Sequence, residues 1–434
     1  MYERLHAGFA KVDITPDYPI GLAGYSNQES RVSEAIEDRI YISCIALAEG
    51  EETILVYTID NCACANETAA MLREPITEAL GISGEKVFFS ATHSHNCPAL
   101  YGHPLAERYQ NELKAWAVEA ARLAIADLAP ATTMAAKKVF QGMNFTRHIL
   151  LANGEVAGSD WKRRGSPAIG IAGTPDSQMV LVKFAREEKR DILMINWQGH
   201  PDRSGQIGKL RISPSYVGPL RDTVAAGSGM EVAYFTGADG NMTIDCRMPE
   251  HKHNMDYRRY AVHMGTLALG LLDELVEVEG TGIATARDYV EAPIDHSWDH
   301  MLEQANEIFD LWKATDKATG DEAGKKYSFS SVYQARAIRS RANLGASKTM
   351  EVNAFRVGGV GFVTGTYEMF SESGIQIKNR SPYAFTMVLT GNSGYIPSDR
   401  AFENRCYESD TGFYARGTAE ILVEKLVELL EKIQ

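Results

Sequence analysis

Through its first two thirds the chain alternates short β-rich runs with longer helical patterns, and this alternation narrows the possible folds more than any other feature of the sequence. Runs at 8–14, 40–48, 53–59, 86–91, 179–184, 191–197 and 231–236 have strand length and β-branched or aromatic content. Between them, Leu105, Tyr109, Leu113, Trp116, Ala120 and Leu123 recur at helical spacing and predict a helix over 105–128, closed by Pro130. The C-terminal stretch 418–434 repeats the pattern with Ile421, Leu422, Leu426, Leu429, Leu430 and Ile433. These stripes are core faces. Strands interleaved with helices predict an α/β fold, a large mixed β-sheet flanked by helices.

One segment breaks the pattern. Residues 296–346 are rich in Lys, Asp, Glu and Ser and read as two helices around a soft turn at 318–324, an inserted helical hairpin. After it, 349–364 alternates and carries Gly358 and Gly359, which predicts a strand hairpin returning to the sheet. No repeat, low-complexity tract or Pro/Ser-rich linker divides the chain, so a single domain over 1–434 is expected.

Composition excludes several classes of function. The 434 residues are 44% hydrophobic and 23% charged, a globular balance. A formal charge of −13 with no block of Lys or Arg argues against a nucleic-acid partner. No run approaches the ~20 apolar residues that cross a bilayer, and the charged start lacks a signal-peptide core, so no membrane association and a cytoplasmic location are expected. Cys44, Cys62, Cys64, Cys97, Cys246 and Cys406 are then reduced thiols. The oligomeric state is left open.

Two strand ends carry chemistry. In VFFSATHSHNCP (87–98) an apolar strand runs into His93 and His95, which project to one side if the chain stays extended. A second apolar strand ends in Gln198-Gly199-His200-Pro201, at the sheet edge where α/β sites form. Each His can be a metal ligand or a hydrogen-bonded core histidine. His251 and His253, among polar neighbours, read as solvated loop residues.

In order along the chain, these motifs resemble the neutral (non-lysosomal) ceramidase family of zinc amidases. AGFAKVDITP and GYSN within 7–27 are similar to its opening, ATHSHNCP (91–98) to its ATHTHSGP, MNFTRH (143–148) to its N-x-NRS stretch, and INWQGHP (195–201) to its NW-x-x-HP strand end. TYEMFSESG (366–374) is similar to its PGE segment. SGYIPSDRAFENRCYES (393–409) is similar to its SGY…YE run, with Tyr395 and Tyr407 twelve residues apart as the family's functional tyrosines are. The resemblance implies a ceramidase-like catalytic domain with Zn2+ held by His93, His200, Glu368 and Tyr395. It further implies that His95, Arg147 and Tyr407 surround the reacting carbonyl of an amide. Zinc accepts these ligand types, and His95 suits the role of general base. The cysteines are then thiols rather than ligands, with Cys97 near enough to the histidines to bear on the site.

Two departures matter. The family's G-D-x-S-P-N loop corresponds here to Gly240-Asn241-Met242-Thr243, which favours water as the nucleophile unless Thr243 takes part. The extra C-terminal sandwich domain and the export signal of ceramide-cleaving members are also missing from the pattern, so a small soluble amide is expected as substrate. Asp202-Arg203, Arg163-Arg164 and the 296–346 insertion are candidates for selecting it. Alternatives are an ester, a lactone or a cyclic amide at the same site, or a non-catalytic metal- or ligand-binding protein.

Overall fold

Two sheets, packed face to face, organise the chain. The computed structural model describes residues 2–25, 30–158, 161, 164–245 and 255–434. The first sheet contains β1 (Tyr2–Asp13), β2 (Tyr41–Gly50), β3 (Glu52–Ile59), β4 (Val87–Ala91), β5 (Ala129–Val139), β6 (Gln178–Arg186), β7 (Ile192–Trp197), β8 (Glu231–Thr236) and a short β9 (Val276–Glu277). Its order is β8-β7-β6-β5-β1-β2-β3-β4, with β9 beside β5. The pairs β3/β4 and β7/β8 are parallel and the other pairings are antiparallel, so the expected mixed sheet is present.

The second sheet corrects an expectation. The 349–364 hairpin does not return to the first sheet. It forms β11 (Ser347–Val357) and β12 (Val360–Gly365) of a separate four-stranded sheet, between β10 (Ile283–Pro293) and β13 (Phe385–Thr390). Between the sheets lies an apolar layer in which Phe9, Val56, Phe88 and Met194 meet Phe355, Phe362 and Met387. The Phe88 and Phe355 rings stack at 4.6 Å. Helices Asn66–Leu80 and Ala106–Ala126 cover part of the outer face of the first sheet, and Val217–Ser228 and Tyr257–Leu271 cover another part. Helices Ser371–Arg380 and Thr418–Lys432 cover the second sheet. This four-layer order explains why β4, β7 and β8 read as unbroken apolar runs: both faces of each are buried.

The insertion also differs from its sequence reading. Residues 318–324 are not a turn but most of a third helix, Lys317–Gly324, between Leu302–Ala314 and Val332–Arg341. Asp316 caps it by accepting from Thr319 N at 2.9 Å. Ala305, Ile308, Phe329, Val332, Ala335 and Ile338 give the three helices a small core of their own. No helix among the described residues is long and apolar enough to cross a membrane.

The first sheet curls until its edge strands β4 and β8, far apart in strand order, come together. Side-chain hydrogen bonds close this end: from β3, Thr58 Oγ1 donates to Tyr234 O of β8 at 2.7 Å, and from β8, Thr236 Oγ1 donates to Thr92 O just past β4 at 2.9 Å. The second sheet joins the same point, where Ser90 Oγ donates to Thr390 O at 2.9 Å and Thr364 Oγ1 to Phe89 O at 3.1 Å. The carboxyl ends of the parallel pairs β3/β4, β7/β8 and β12/β13 therefore meet, which is where a ligand site forms in open α/β architectures.

Candidate metal centre

Every strand in that cluster hands a polar residue to one spot. β4 stops at Ala91, and His93 has a φ of 66° with its N–H donating to Asn61 O at 2.9 Å. The backbone thus turns sharply through the left-handed region. His93 and His95 do not project from an extended strand, as the sequence reading had it. The turn brings their rings together all the same, with centroids 5.1 Å apart. His93 Nδ1 lies 2.6 Å from Cys62 O. A carbonyl only accepts, so Nδ1 carries a hydrogen, and Nε2, 3.4 Å from Glu368 Oε1, is the nitrogen left for a metal.

His200 arrives from β7. A Cβ on Gly199 would lie 2.8 Å from Trp197, Tyr216 and Ile244 side chains, so only glycine passes through this gap. The His200 ring reaches within 4.4 Å of His93, centroid to centroid. Its Nδ1 is 3.5 Å from Asp239 Oδ2 and 3.8 Å from Glu368 Oε1, and its Nε2 is 3.3 Å from His95 Nε2. Glu368 follows β12, and Tyr395 follows β13. The two-residue strands Glu368–Met369 and Tyr395–Ile396 pair in parallel with Glu368 opposite Tyr395, which sets carboxylate and phenol side by side. Ligand atoms of His93, His200 and Glu368 all lie within 4.8 Å of one another.

The electrostatics of this cluster are those of donors without a counter-charge. Burial works against a charged His93, but the carboxylates of Glu368 and Asp239 outweigh it and hold the ring well above its ordinary pKa. Burial, with the positive charges of His93 and Arg147, drives His200 well below its own. Burial likewise pushes His95 down to about 3, against the pull of Asp202. Asp239 is fully buried and pushed up to about 7, first by burial and then by repulsion from Glu368. Among the described residues, His93 Nε2, His200 Nδ1, Glu368 Oε1 and both oxygens of Asp239 are buried with no hydrogen-bond partner. Each unpaired polar atom costs roughly 1–3 kcal/mol. Of these, the atoms of His93, His200 and Glu368 lie close enough together for one divalent cation to satisfy all three, and imidazole nitrogen with carboxylate oxygen is a suitable donor set for one.

Around the cluster, the remaining sequence candidates fall as follows. Arg147 is not in a surface ion pair: its side chain is 13% exposed, with Nη2 3.0 Å from Glu408 Oε1 and also donating to Gly240 O. Its guanidinium lies 5.6 Å from the centre of the Tyr395 ring, and its Nε has no hydrogen-bond partner among the described residues. Tyr407 opens the short helix Tyr407–Thr411, its ring 6.2 Å from that of Tyr395 and 6.2 Å from that of Tyr333 in the insertion. Thr243 accepts from Asp245 N through its hydroxyl at 3.2 Å. Asn241 works as a clamp, accepting from Ser371 N and donating to Glu372 Oε2, both at 2.9 Å, while its carbonyl receives Arg147 N at 2.7 Å. Arg203 pairs with Asp245 rather than facing the cluster. Arg163, His251, His253 and Cys246 lie outside the described residues.

Three residues were missed or misread from sequence. Cys97 is buried, and its thiol donates to Ser213 O at 3.6 Å. The thiol beside the histidines is Cys62, whose Sγ lies 4.0 Å from His93 Nδ1. Glu408 holds both Arg147 and His148, the latter at 3.1 Å. Burial pushes its carboxyl up, yet the Arg147 guanidinium and the contact with His148 outweigh it and keep it at about 2. Asp239 has a sequence signal of a kind, an acid just past a buried strand, but nothing local shows that it turns inward. Gly24 has the opposite history: the opening motif contained it, and the structure gives the reason. A Cβ there would lie 2.4 Å from His95 Cγ, so the glycine lets the loop lie against the imidazole.

Solved structures share this arrangement of sheets. The fold is that of the neutral ceramidases. The neutral ceramidase from Pseudomonas aeruginosa matches with a TM-score of 0.74 and 15% identity, over 100% of this chain and 75% of that one. A ceramidase complexed with C2 matches with a TM-score of 0.72 and 15% identity, over 99% of this chain and 76% of that one. No family model and no curated protein matches the chain by sequence. The ceramidase fold accounts for the two sheets and their flanking helices. At 15% identity it does not by itself assign the residues at the strand ends.

Proposed function

We propose that the chain is a zinc-dependent hydrolase that cleaves the carbon–nitrogen bond of a linear amide, with water as the nucleophile. The observation that carries this reading is the convergence of unpartnered, buried ligand atoms on His93, His200 and Glu368. Tyr395, opposite Glu368 in register, is assigned as the fourth ligand. A zinc ion held there polarises the amide carbonyl and ionises water near neutral pH.

The chain's own residues supply the rest. The hydrogen bond from His93 Nδ1 to Cys62 O fixes the ring and the tautomer. His95 accepts the proton of the attacking water at a ring nitrogen and returns it to the leaving amine. Asp202, 3.9 Å from His95 Nδ1, is the group that favours the protonated ring against its burial. Arg147, braced by Glu408, has an unspent Nε–H to donate to the oxygen that gains charge. Tyr407, beside Tyr395, donates a hydrogen bond to the oxygen that gains charge or to the departing nitrogen and keeps its proton. With Asn241 used as a clamp and the Thr243 hydroxyl accepting from the backbone, the 240–243 loop offers no activated side-chain nucleophile.

A small polar amide fits better than a lipid. Beside the Tyr407 helix, a cavity of about 260 Å³ between the insertion and residues 405–410 has Arg164, Asp321, Lys325, Arg405 and Asp410 in its wall. These side chains offer charged partners to a polar substrate, beside the apolar ring of Phe329. The test is hydrolysis by metal-stripped and zinc-reconstituted protein, with N-acyl amino acids, a short-chain ceramide and matched esters as substrates. Zinc-dependent release of amine supports the proposal. Cleavage of esters or lactones alone would change the bond, and one bound zinc with no cleavage of any substrate would leave a binding protein.

A further inference from the structure

The thiol beside the histidines belongs to a second ligand set. Ligand atoms of Cys62, His93 and His95 lie within 4.8 Å of one another, as do those of His93, His200 and Glu368. The two sets share His93 and differ in softness: the first offers carboxylate oxygen and imidazole, the second sulfur and imidazole. Cys62 is half-buried on the loop after β3, whereas Cys64 and Cys97 are 1% and 0% exposed. His95 points to the same conclusion independently, since it is 8% exposed and its Nδ1 makes no hydrogen bond among the described residues.

We propose that Cys62, His93 and His95 form a thiolate-containing site for a thiophilic cation, overlapping the harder centre and mutually exclusive with it. Exclusion follows from the single lone pair of a neutral His93 ring. It sits on Nε2 while Nδ1 donates to Cys62 O, and on Nδ1, 4.0 Å from Cys62 Sγ, once the hydrogen moves to Nε2; in either form one ion takes it. Binding forms a metal–sulfur bond and releases the thiol proton to solvent, with no change of oxidation state. Thiolate and imidazole select soft or borderline ions such as Cd2+, Cu+ and Zn2+ over Mg2+, Ca2+ or Mn2+. An ion held this way withdraws both His93 and His95 from hydrolysis, so the site acts as an inhibitory trap. The inference shares His93 with the proposed hydrolytic centre but rests on no reaction there.

The experiment is a Cd2+ titration of the metal-stripped, full-length protein, read by thiolate-to-cadmium charge-transfer absorption in the ultraviolet. The expected result is a band that saturates near one equivalent per chain, is lost in Cys62→Ser, and persists in Glu368→Gln, in which the harder set is crippled. No band in the natural chain, or an equal band in Cys62→Ser, overturns the proposal. Should Cys62→Ser fail to fold, the natural chain still decides the matter. Saturating Cd2+ is expected to slow alkylation of Cys62 by iodoacetamide about tenfold or more, mapped by peptide mass, because a metal-bound thiolate is a poor nucleophile. Equal labelling with and without the ion refutes the site. None of these readouts depends on amide cleavage, so failure of the hydrolase reading would not be mistaken for failure here.

Discussion

Replacing Asp239 by asparagine should stabilise the metal-free protein and weaken the metal-loaded one. Asp239 is fully buried, neither of its oxygens has a hydrogen-bond partner among the described residues, and Glu368 lies close by. Burial pushes its pKa from 3.8 to about 7, so between those values the folded chain binds more protons than the unfolded one. Stability must then fall as pH rises through that window. Once the carboxyl is ionised, the penalty is on the order of 4 kcal/mol, from about 1.4 kcal/mol per tenfold change in proton affinity. Asparagine keeps the shape and removes the charge. Urea unfolding of the metal-stripped chains near pH 3.5 and near pH 8 measures the difference. The two proteins should be similar at the lower pH, and Asp239→Asn should be more stable by a few kcal/mol at the higher. Saturating zinc should stabilise the natural chain more than the variant, because the charge that repelled Glu368 then faces a cation. Parallel pH profiles for the two metal-free chains, or a variant less stable near pH 8, would refute the argument that this carboxylate awaits a positive partner.

Other outcomes follow from the same geometry. His93→Ala and His200→Ala should each reduce zinc content from about one per chain to near zero at stoichiometric metal, measured by atomic emission, with amide hydrolysis lost in parallel. Tyr407→Phe should retain zinc yet slow turnover by something like 10²–10⁴-fold, and an unchanged rate would remove it from the mechanism. Asp60→Asn should cost about 3–5 kcal/mol of stability in denaturant unfolding, because it leaves Arg221 buried without the carboxylate that it now meets at 2.6 and 3.1 Å.

How much of this was legible beforehand depended on whether the signal was local. All seven strands expected from apolar runs are present, with ends shifted by a few residues, because a run covered on both faces must be apolar throughout. β5, with the run Ala129–Val139, carries mostly small and polar residues and gives no such pattern. It is a strand because β1 and β6 offer it ladder partners, a tertiary fact. The helix over 318–324 escaped notice for the opposite reason: Gly320 and Gly324 look like turn residues, yet here they are buried where the helix meets its neighbours. At the site, His93 and His200 were readable because each ends an apolar strand. Glu368 and Tyr395 came only through resemblance to a family. Cys62 and Glu408 came only from the coordinates, which also decided that Asp239, a pocket-lining candidate just past a buried strand, faces the histidines.

By itself, then, the sequence determined which segments are strands and helices, and which imidazoles stand at strand ends, since periodicity and burial of apolar runs are written residue by residue. Only the tertiary structure decided that the β3/β4 edge and β8, at opposite ends of a sheet, come together through the hydroxyls of Thr58 and Thr236. The same closure decided which acids and which thiol face the histidines. Proximity of that kind comes from how a sheet curls and which second sheet covers it, and those depend on long-range packing that no local pattern encodes.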